Sequence, residues 1–273
     1  MTYCVALKVA AGMVFASDSR TNAGFDQVST FRKMIVYERP GDRFMTLLSA
    51  GNLSISQSVR EKLQSEELTI DGVPQTIWNV KSLFDAARIL GTTMRRVDEL
   101  DGPVLRAAGI DASCTMIFGG QIAGEVMRLF LVYSTGNFIE ATPETCYFQI
   151  GESKYGKPVL DRILVPSIPL ADAAKCALVS IDSTLKSNLS VGLPVDLLVY
   201  EANSLASNEL VCIDENNPYF AMIRGTWGTR LREAFASMEN PKFDASPAEH
   251  PLHVRSERYE VLRKITNPHE KIV

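Results

Sequence analysis

The first 249 residues of this 273-residue chain contain no histidine; His250, His253 and His269 all fall in the last two dozen. A serine–histidine–acid or cysteine–histidine catalytic arrangement therefore has no base in the main body. A histidine-built metal site is excluded there for the same reason, and the tail histidines read as solvated. Cysteine is scarce and scattered: Cys4, Cys114, Cys146, Cys176 and Cys212, an odd number with no Cys-x-x-Cys pair. That excludes a zinc ribbon, argues against a disulfide framework and fits small buried apolar residues in a reducing compartment. No apolar run approaches the ~20 residues needed to span a bilayer. Lys8, Asp18 and Arg20 interrupt the N-terminal apolar stretch, so it does not read as a signal peptide. There is no basic run, and the net charge is −4, which leaves no footprint for nucleic acid. The expectation is a cytoplasmic protein with neither a membrane nor a nucleic-acid partner.

What is present is enough apolar material, 46% of residues, for a sizeable core in one large domain. Residues 2–9 and 13–20 read as a strand pair, with Ala10-Ala11-Gly12 as a three-residue loop and Gly12 in the left-handed position. That register sets Thr2 opposite Arg20 and Cys4 opposite Asp18, all on one face. Further strands are expected at 33–38 and 44–50, with Gly51 closing the latter, then at 114–119, 126–133, 145–150, 194–201 and 209–214. Helices are expected at 53–65, 78–98, 155–164 and 170–186, with 99–111 as a connection. Pro169 fits the start of the last of these. Strands and helices come in blocks, not in strict alternation, so the class is α+β with antiparallel sheets. From about residue 218 a part-helical, proline-containing C-terminal extension follows. Its Phe220, Trp227, Leu231 and Phe235 need burial somewhere, which suggests self-association.

With no histidine base available, the chemistry points to the N-terminus. Thr2 follows the initiator methionine, and a small second residue lets methionine aminopeptidase remove Met1. Thr2 would then carry both a hydroxyl and a free α-amine, whose unperturbed pKa is about 7.7–8.0: nucleophile and base on one residue. A secondary alcohol needs a nearby cation to favour its ionised form. Lys33, opening the third strand, is the candidate, and Asp18 is the anion that would make its burial tolerable. The backbone N–H of Gly51 is a candidate oxyanion donor, since glycine permits close approach of substrate.

Thr2 opening a strand, an Asp-x-Arg sixteen residues later (Asp18, Arg20), Lys33 opening the third strand and Ser-Ala-Gly at 49–51 together resemble the proteasome β-subunit and HslV peptidase pattern. The phrases FASDSRTNAG, STFRKM, IGESKYGKPVLDR and KSNLSVGLPVDLLVY are most similar to its Anbu branch. The resemblance implies a four-layer αββα sandwich of the N-terminal-nucleophile hydrolase class over residues 1–215, with 216–273 as a helical extension. It implies Thr2 as nucleophile with Asp18 and Lys33 beside it, no cofactor or metal, a peptide or unfolded-protein substrate, and a homo-oligomer, ring-like or open-helical. The expected enzyme is a threonine peptidase; a self-assembling scaffold with little peptidase activity is the alternative, and a small-molecule amidase a third reading. Two departures stand out. Proteasome subunits carry Gly-Ser-Gly where this chain has Gly151-Glu152-Ser153, and Asp-x-x-Ser-Gly where it has Ser187-Asn188-Leu189-Ser190-Val191. Ser190 is retained, the acid is replaced by Ser187, and Glu152 either supplies the carboxylate or is a surface residue.

Overall fold

The computed structural model describes residues 2–22, 28–70, 72–207 and 209–241; Met1 and the three histidines lie outside that set. The order begins β1 (Tyr3–Val9), β2 (Gly12–Asp18), β3 (Arg20–Asn22), β4 (Val28–Thr30), β5 (Met34–Arg39), β6 (Arg43–Gly51) and α1 (Leu53–Ser65). It continues through β7 (Leu68–Ile70), β8 (Val73–Gln75), α2 (Leu83–Ala107), β9 (Cys114–Ile122), β10 (Arg128–Val132), β11 (Phe138–Glu140) and β12 (Tyr147–Gly151). Then come α3 (Lys157–Ile163), α4 (Leu170–Ser187), β13 (Val195–Glu201), β14 (Glu209–Ile213) and α5 (Pro218–Ala236). The chain divides into two units, Met1–Arg224 and Gly225–Val273.

Within the first unit two five-stranded sheets form, ordered β12-β1-β2-β13-β14 and β11-β10-β9-β6-β5, with every pairing antiparallel. Cys4, Ala6, Met13, Phe15 and Leu198 of the first sheet share one buried cluster with Phe44, Leu48, Ile117 and Leu129 of the second. The outer face of the second sheet packs on α1 and α2 through Met45, Leu47, Met116, Phe118, Ile55, Val59, Leu83, Leu90 and Met94. On the first sheet α4 lies against β1, β2 and β13, and α3 lies against α4. Alternation explains this division. Each strand sends one set of side chains to the shared cluster and the other set to its helices.

The helices follow local signals. Asn52 caps α1, its side-chain oxygen accepting the Ser54 and Ile55 amides, and Ile55, Val59 and Leu63 bury one stripe. Ser82 caps α2 by accepting the Asp85 amide. The helix therefore starts at Leu83, later than residue 78, and runs through the segment expected to be a connection. Pro103 sits inside it. The Asp98–Arg106 ion pair, at 2.8 Å, spans that stretch and closes over buried Gly102, in the turn where Pro103 removes a backbone donor.

The first hairpin departs from expectation. Val9 pairs with Gly12 and Cys4 with Ser17, so the loop is the two residues Ala10-Ala11 and Asp18 falls level with Tyr3, not with Cys4. Gly12 is the first residue of β2, and its φ is not left-handed. A Cβ there would run into the Tyr200 carbonyl of β13, so glycine serves the approach of a third strand instead of a turn. The pairs β3–β4 and β7–β8 and strand β11 carry no two-residue period long enough to read in advance. No helix among the described residues is long and apolar enough to cross a membrane.

Candidate active site

Asp18 ends β2, between β1 and β13, where Val195 is its cross-strand partner. One oxygen, Oδ1, accepts both the Tyr3 backbone N–H at 2.9 Å and the Lys33 ammonium at 2.6 Å. The same ammonium donates to the Arg20 carbonyl at 2.6 Å. Lys33 itself is clamped just before β5, its carbonyl accepting the Ser49 N–H of β6 at 3.1 Å. Asp18 is 0% exposed and Lys33 6%, so this is a buried ion pair in a low-dielectric setting. Burial pushes the Asp18 carboxyl above the usual carboxylate range; the Lys33 charge and hydrogen bond and the Tyr3 and Gly192 amides oppose that without cancelling it.

Thr2 stands next to this junction, half-buried. The amide that follows it is the one bound to Asp18, and its carbonyl accepts the Glu152 N–H at 2.6 Å. Gly151 has φ +81°, and a Cβ there would strike the Thr2 carbonyl. Tyr3 anchors the strand start on the helix side. Gln149 donates to its hydroxyl at 2.5 Å, the hydroxyl meets Ser180 Oγ at 2.6 Å, and Ser180 donates to the Gly156 carbonyl. Burial raises the Tyr3 phenol well above its ordinary pKa, so it stays a neutral tether. Thr2 is thus fixed by the Glu152 N–H on its carbonyl, by the Asp18 carboxylate on the amide that follows it and by the side chain of its neighbour Tyr3.

Gly51 ends β6 opposite Cys114, with φ +112°. Amides of alternate residues in an antiparallel strand point to the same edge. Ser49 N–H reaches Lys33 on the β5 side and Asn52 N–H reaches Ser113 on the β9 side. The Gly51 N–H therefore points past Lys33, where β5 has not yet begun. A cavity of about 370 Å³ lies elsewhere, lined by Arg95, Asp98, Arg106, Ser113 and Thr135 among others; Thr2, Asp18 and Lys33 do not line it.

The supporting residues fall in two groups. Arg20 gives its carbonyl to Lys33, while its guanidinium reaches the Leu189 carbonyl at 3.3 Å and packs on Gly192. Glu152 accepts from Asn188 Nδ2 at 3.0 Å, and Asn188 Oδ1 accepts the Ser190 N–H at 2.9 Å. The β12 end, which holds Thr2, is in this way tied to the loop after α4. Ser187, at the position where the resembled pattern has its acid, is exposed. Nothing among the described residues groups three or more His, Cys, Asp or Glu side chains as a metal site.

Neither a protein-family model nor a curated protein sequence matches the chain; solved structures do. Anbu (ancestral beta-subunit) from Yersinia bercovieri is 48% identical with a TM-score of 0.81, over 88% of this chain and 99% of that one. The Anbu complex from Pseudomonas aeruginosa, described as a helical assembly, is 47% identical with a TM-score of 0.81, over 89% and 100%. An Anbu Gly-1 mutant from Hyphomicrobium sp. strain MC1 is 42% identical with a TM-score of 0.82, over 89% and 100%. This chain belongs to the Anbu family. Its α+β architecture with antiparallel sheets is the Anbu fold. Relative to that fold, the residues that sequence reasoning passed over are Tyr3, Gly151, Asn188 and Ser49. Ser49 and Gly151 act through their backbone and Tyr3 and Asn188 also through their side chains, and only Gly151, a glycine next to a charged residue, carried any signal in the sequence.

Proposed function

We propose that this chain is a threonine-type peptidase of the N-terminal-nucleophile class, a four-layer αββα sandwich over 1–215 with an extension over 216–273. Thr2 becomes its first residue when Met1 is removed. The observation that carries the reading is the single oxygen Asp18 Oδ1 shared by the Lys33 ammonium and the Tyr3 amide, which brings a buried cation to the base of the N-terminal residue.

Thr2 Oγ attacks the carbonyl carbon of a peptide bond while its proton passes to the Thr2 α-amine, directly or through one water. The Lys33 ammonium favours the alkoxide, and Asp18 holds that ammonium in place. The Gly51 N–H takes the negative charge that develops on the carbonyl oxygen. Collapse breaks the C–N bond, the leaving amine takes the proton, and an ester remains on Thr2 Oγ. Water adds to the ester by the same route, releases the acid and restores Thr2. Arg20, through its carbonyl, Ser190, through Asn188, and Glu152, through the Thr2 carbonyl, support the arrangement. The substrate is a peptide or unfolded protein, and the protein works in the cytoplasm as a homo-oligomer; the helical assembly of the Pseudomonas aeruginosa relative supports the latter.

Intact mass before and after a peptide epoxyketone tests the reading, because that warhead bridges a hydroxyl and an α-amine on one residue. Loss of Met1 plus one adduct, absent from Thr2→Ala, is expected. A retained Met1, or a mature Thr2 that never reacts, would overturn the peptidase reading. It would favour a self-assembling scaffold, the reading to which the exposed Ser187 lends weight.

A further inference from the structure

Lys33 is held by two groups from one short segment: the Asp18 carboxylate on one side and the Arg20 carbonyl on the other. The residue between them, Ser19, is fully engaged. Its N–H donates to the Pro194 carbonyl at 2.9 Å, its carbonyl accepts the Phe31 N–H at 2.9 Å, and its hydroxyl donates to Asp196 Oδ2 at 3.2 Å. Ser19 is 1% exposed and Asp196 4%. Asp196 lies on β13 directly opposite Ser17 of β2 and Cys212 of β14. The register thus carries a row Cys4–Ser17–Asp196–Cys212 across the sheet, from Cys4 in the cluster between the sheets to Cys212, exposed on β14. Ser19 thus ties this second carboxylate to the segment that carries the ion pair.

A buried carboxylate costs free energy unless something uses it. The sheet has no structural need for one at this position, because the β2–β13 ladder is complete through the backbone and hydrophobic neighbours flank it on β13. What the carboxylate does is hold a hydroxyl midway between the two groups that grip the Lys33 ammonium.

We propose that Asp196 is a positioning residue for Lys33. By accepting the Ser19 hydroxyl it fixes the Asp18–Arg20 segment so that the carboxylate and the carbonyl converge on Nζ. The inference rests on the peptidase reading for its kinetic consequence but not for its geometric one.

The variants are Asp196→Ala, Asp196→Asn, Ser19→Ala and the double Asp196→Ala/Ser19→Ala, each measured for peptide hydrolysis and by crystallography of the full chain. Asp196→Ala should lower kcat by about ten- to a hundredfold, the cost of a misplacement on the order of 1 Å, with KM unchanged. Ser19→Ala should match it, and the double variant should be no worse than either single, because both remove one bond. Asp196→Asn keeps an oxygen acceptor and should restore most of the rate. An Asn variant as impaired as the Ala variant, or a double variant whose losses multiply, overturns the proposal. The crystal structure of Asp196→Ala decides the geometry even if the wild type hydrolyses nothing. Nζ drawn away from the Arg20 carbonyl supports positioning, and Nζ still within hydrogen-bond distance of both Asp18 and Arg20 refutes it. Failure of the peptidase reading shows instead as a wild type with no epoxyketone adduct.

Discussion

Lys33→Ala separates the energetic role of the ion pair from its chemical one. Removing the lysine leaves the Asp18 carboxylate fully buried, with the Tyr3 amide still bound but no cation. Breaking a buried pair on one side costs about 3–5 kcal/mol, because the remaining charge is uncompensated. For a domain of this size each kcal/mol is worth roughly 2–4 °C in Tm, so the melting point should fall by roughly 6–20 °C. The pH dependence follows from the direction of the Asp18 shift. Its carboxyl is raised in the folded state, and losing Lys33 raises it further. Below the unfolded-state carboxylate value of about 3.9, both states hold the proton and the penalty is absent. As pH rises through the folded-state value, the folded protein must release a proton into a dry site and stability falls. The deficit of Lys33→Ala against wild type should therefore shrink on acidification. Asp18→Asn/Lys33→Met removes both charges and should recover most of the loss while remaining inactive. The assay is urea unfolding at neutral and acid pH with protein concentration held fixed, since assembly shifts apparent stability. A Lys33→Ala protein as stable as wild type, or a double variant no better than the single, would refute the argument that a desolvated charge dominates this site.

Three other outcomes follow from the same geometry. Below the acid limb set by the Thr2 α-amine, whose ordinary pKa is about 7.7–8.0, a second loss of kcat/KM should appear above the ordinary carboxylate pKa of 3.8, because Asp18 is raised and Lys33 loses its anion once Asp18 is protonated; a second loss at or below that value would contradict the assignment. Gly151→Ala forces a Cβ into the Thr2 carbonyl at φ +81°, so the rate of epoxyketone adduct formation should drop at least tenfold with the fold retained by circular dichroism, and an unchanged rate would mean that Thr2 is not held by this contact. Tyr3→Phe strands Gln149 and Ser180 in a buried network; unfolding should show a loss of about 1–3 kcal/mol, and a change within measurement error would show that the tether is dispensable.

How far the sequence could be read depended on whether the deciding interaction was local. Helix α1 was legible from end to end because its cap, Asn52, and its buried stripe, Ile55, Val59 and Leu63, lie within one short segment. The start and end of α2 were not. The Ser82 cap displaced its beginning, and the helix runs on through Pro103, against the local preference of Asp-Gly-Pro for a turn. The first hairpin shows the same limit more sharply. Glycine after Ala-Ala is a turn signal by local chemistry, yet Gly12 answers to the Tyr200 carbonyl, from a strand nearly two hundred residues later. No window of sequence contains that contact.

The site divides along the same line. Thr2, Asp18 and Lys33 carry a hydroxyl, an anion and a cation, so their pairing could be proposed from residue type once histidine was excluded. The wrong register did not prevent this, because Asp18 reaches its partners from the strand end: Oδ1 meets a backbone amide and an ammonium, and neither bond requires Asp18 to share a face with Thr2. The loop after α4 is harder. A pattern comparison places the missing acid at Ser187, but that side chain is exposed, and it is the next residue, Asn188, that turns inward to Glu152 and the Ser190 amide. An amide between a carboxylate and a backbone N–H donates to one and accepts from the other, so it satisfies both without adding charge. An aspartate at Asn188 would satisfy only the Ser190 amide and would set a second negative charge against Glu152. The departures at Ser187 and Glu152 therefore meet in this chain: Asn188, the residue after Ser187, donates to the Glu152 carboxylate and accepts the Ser190 amide.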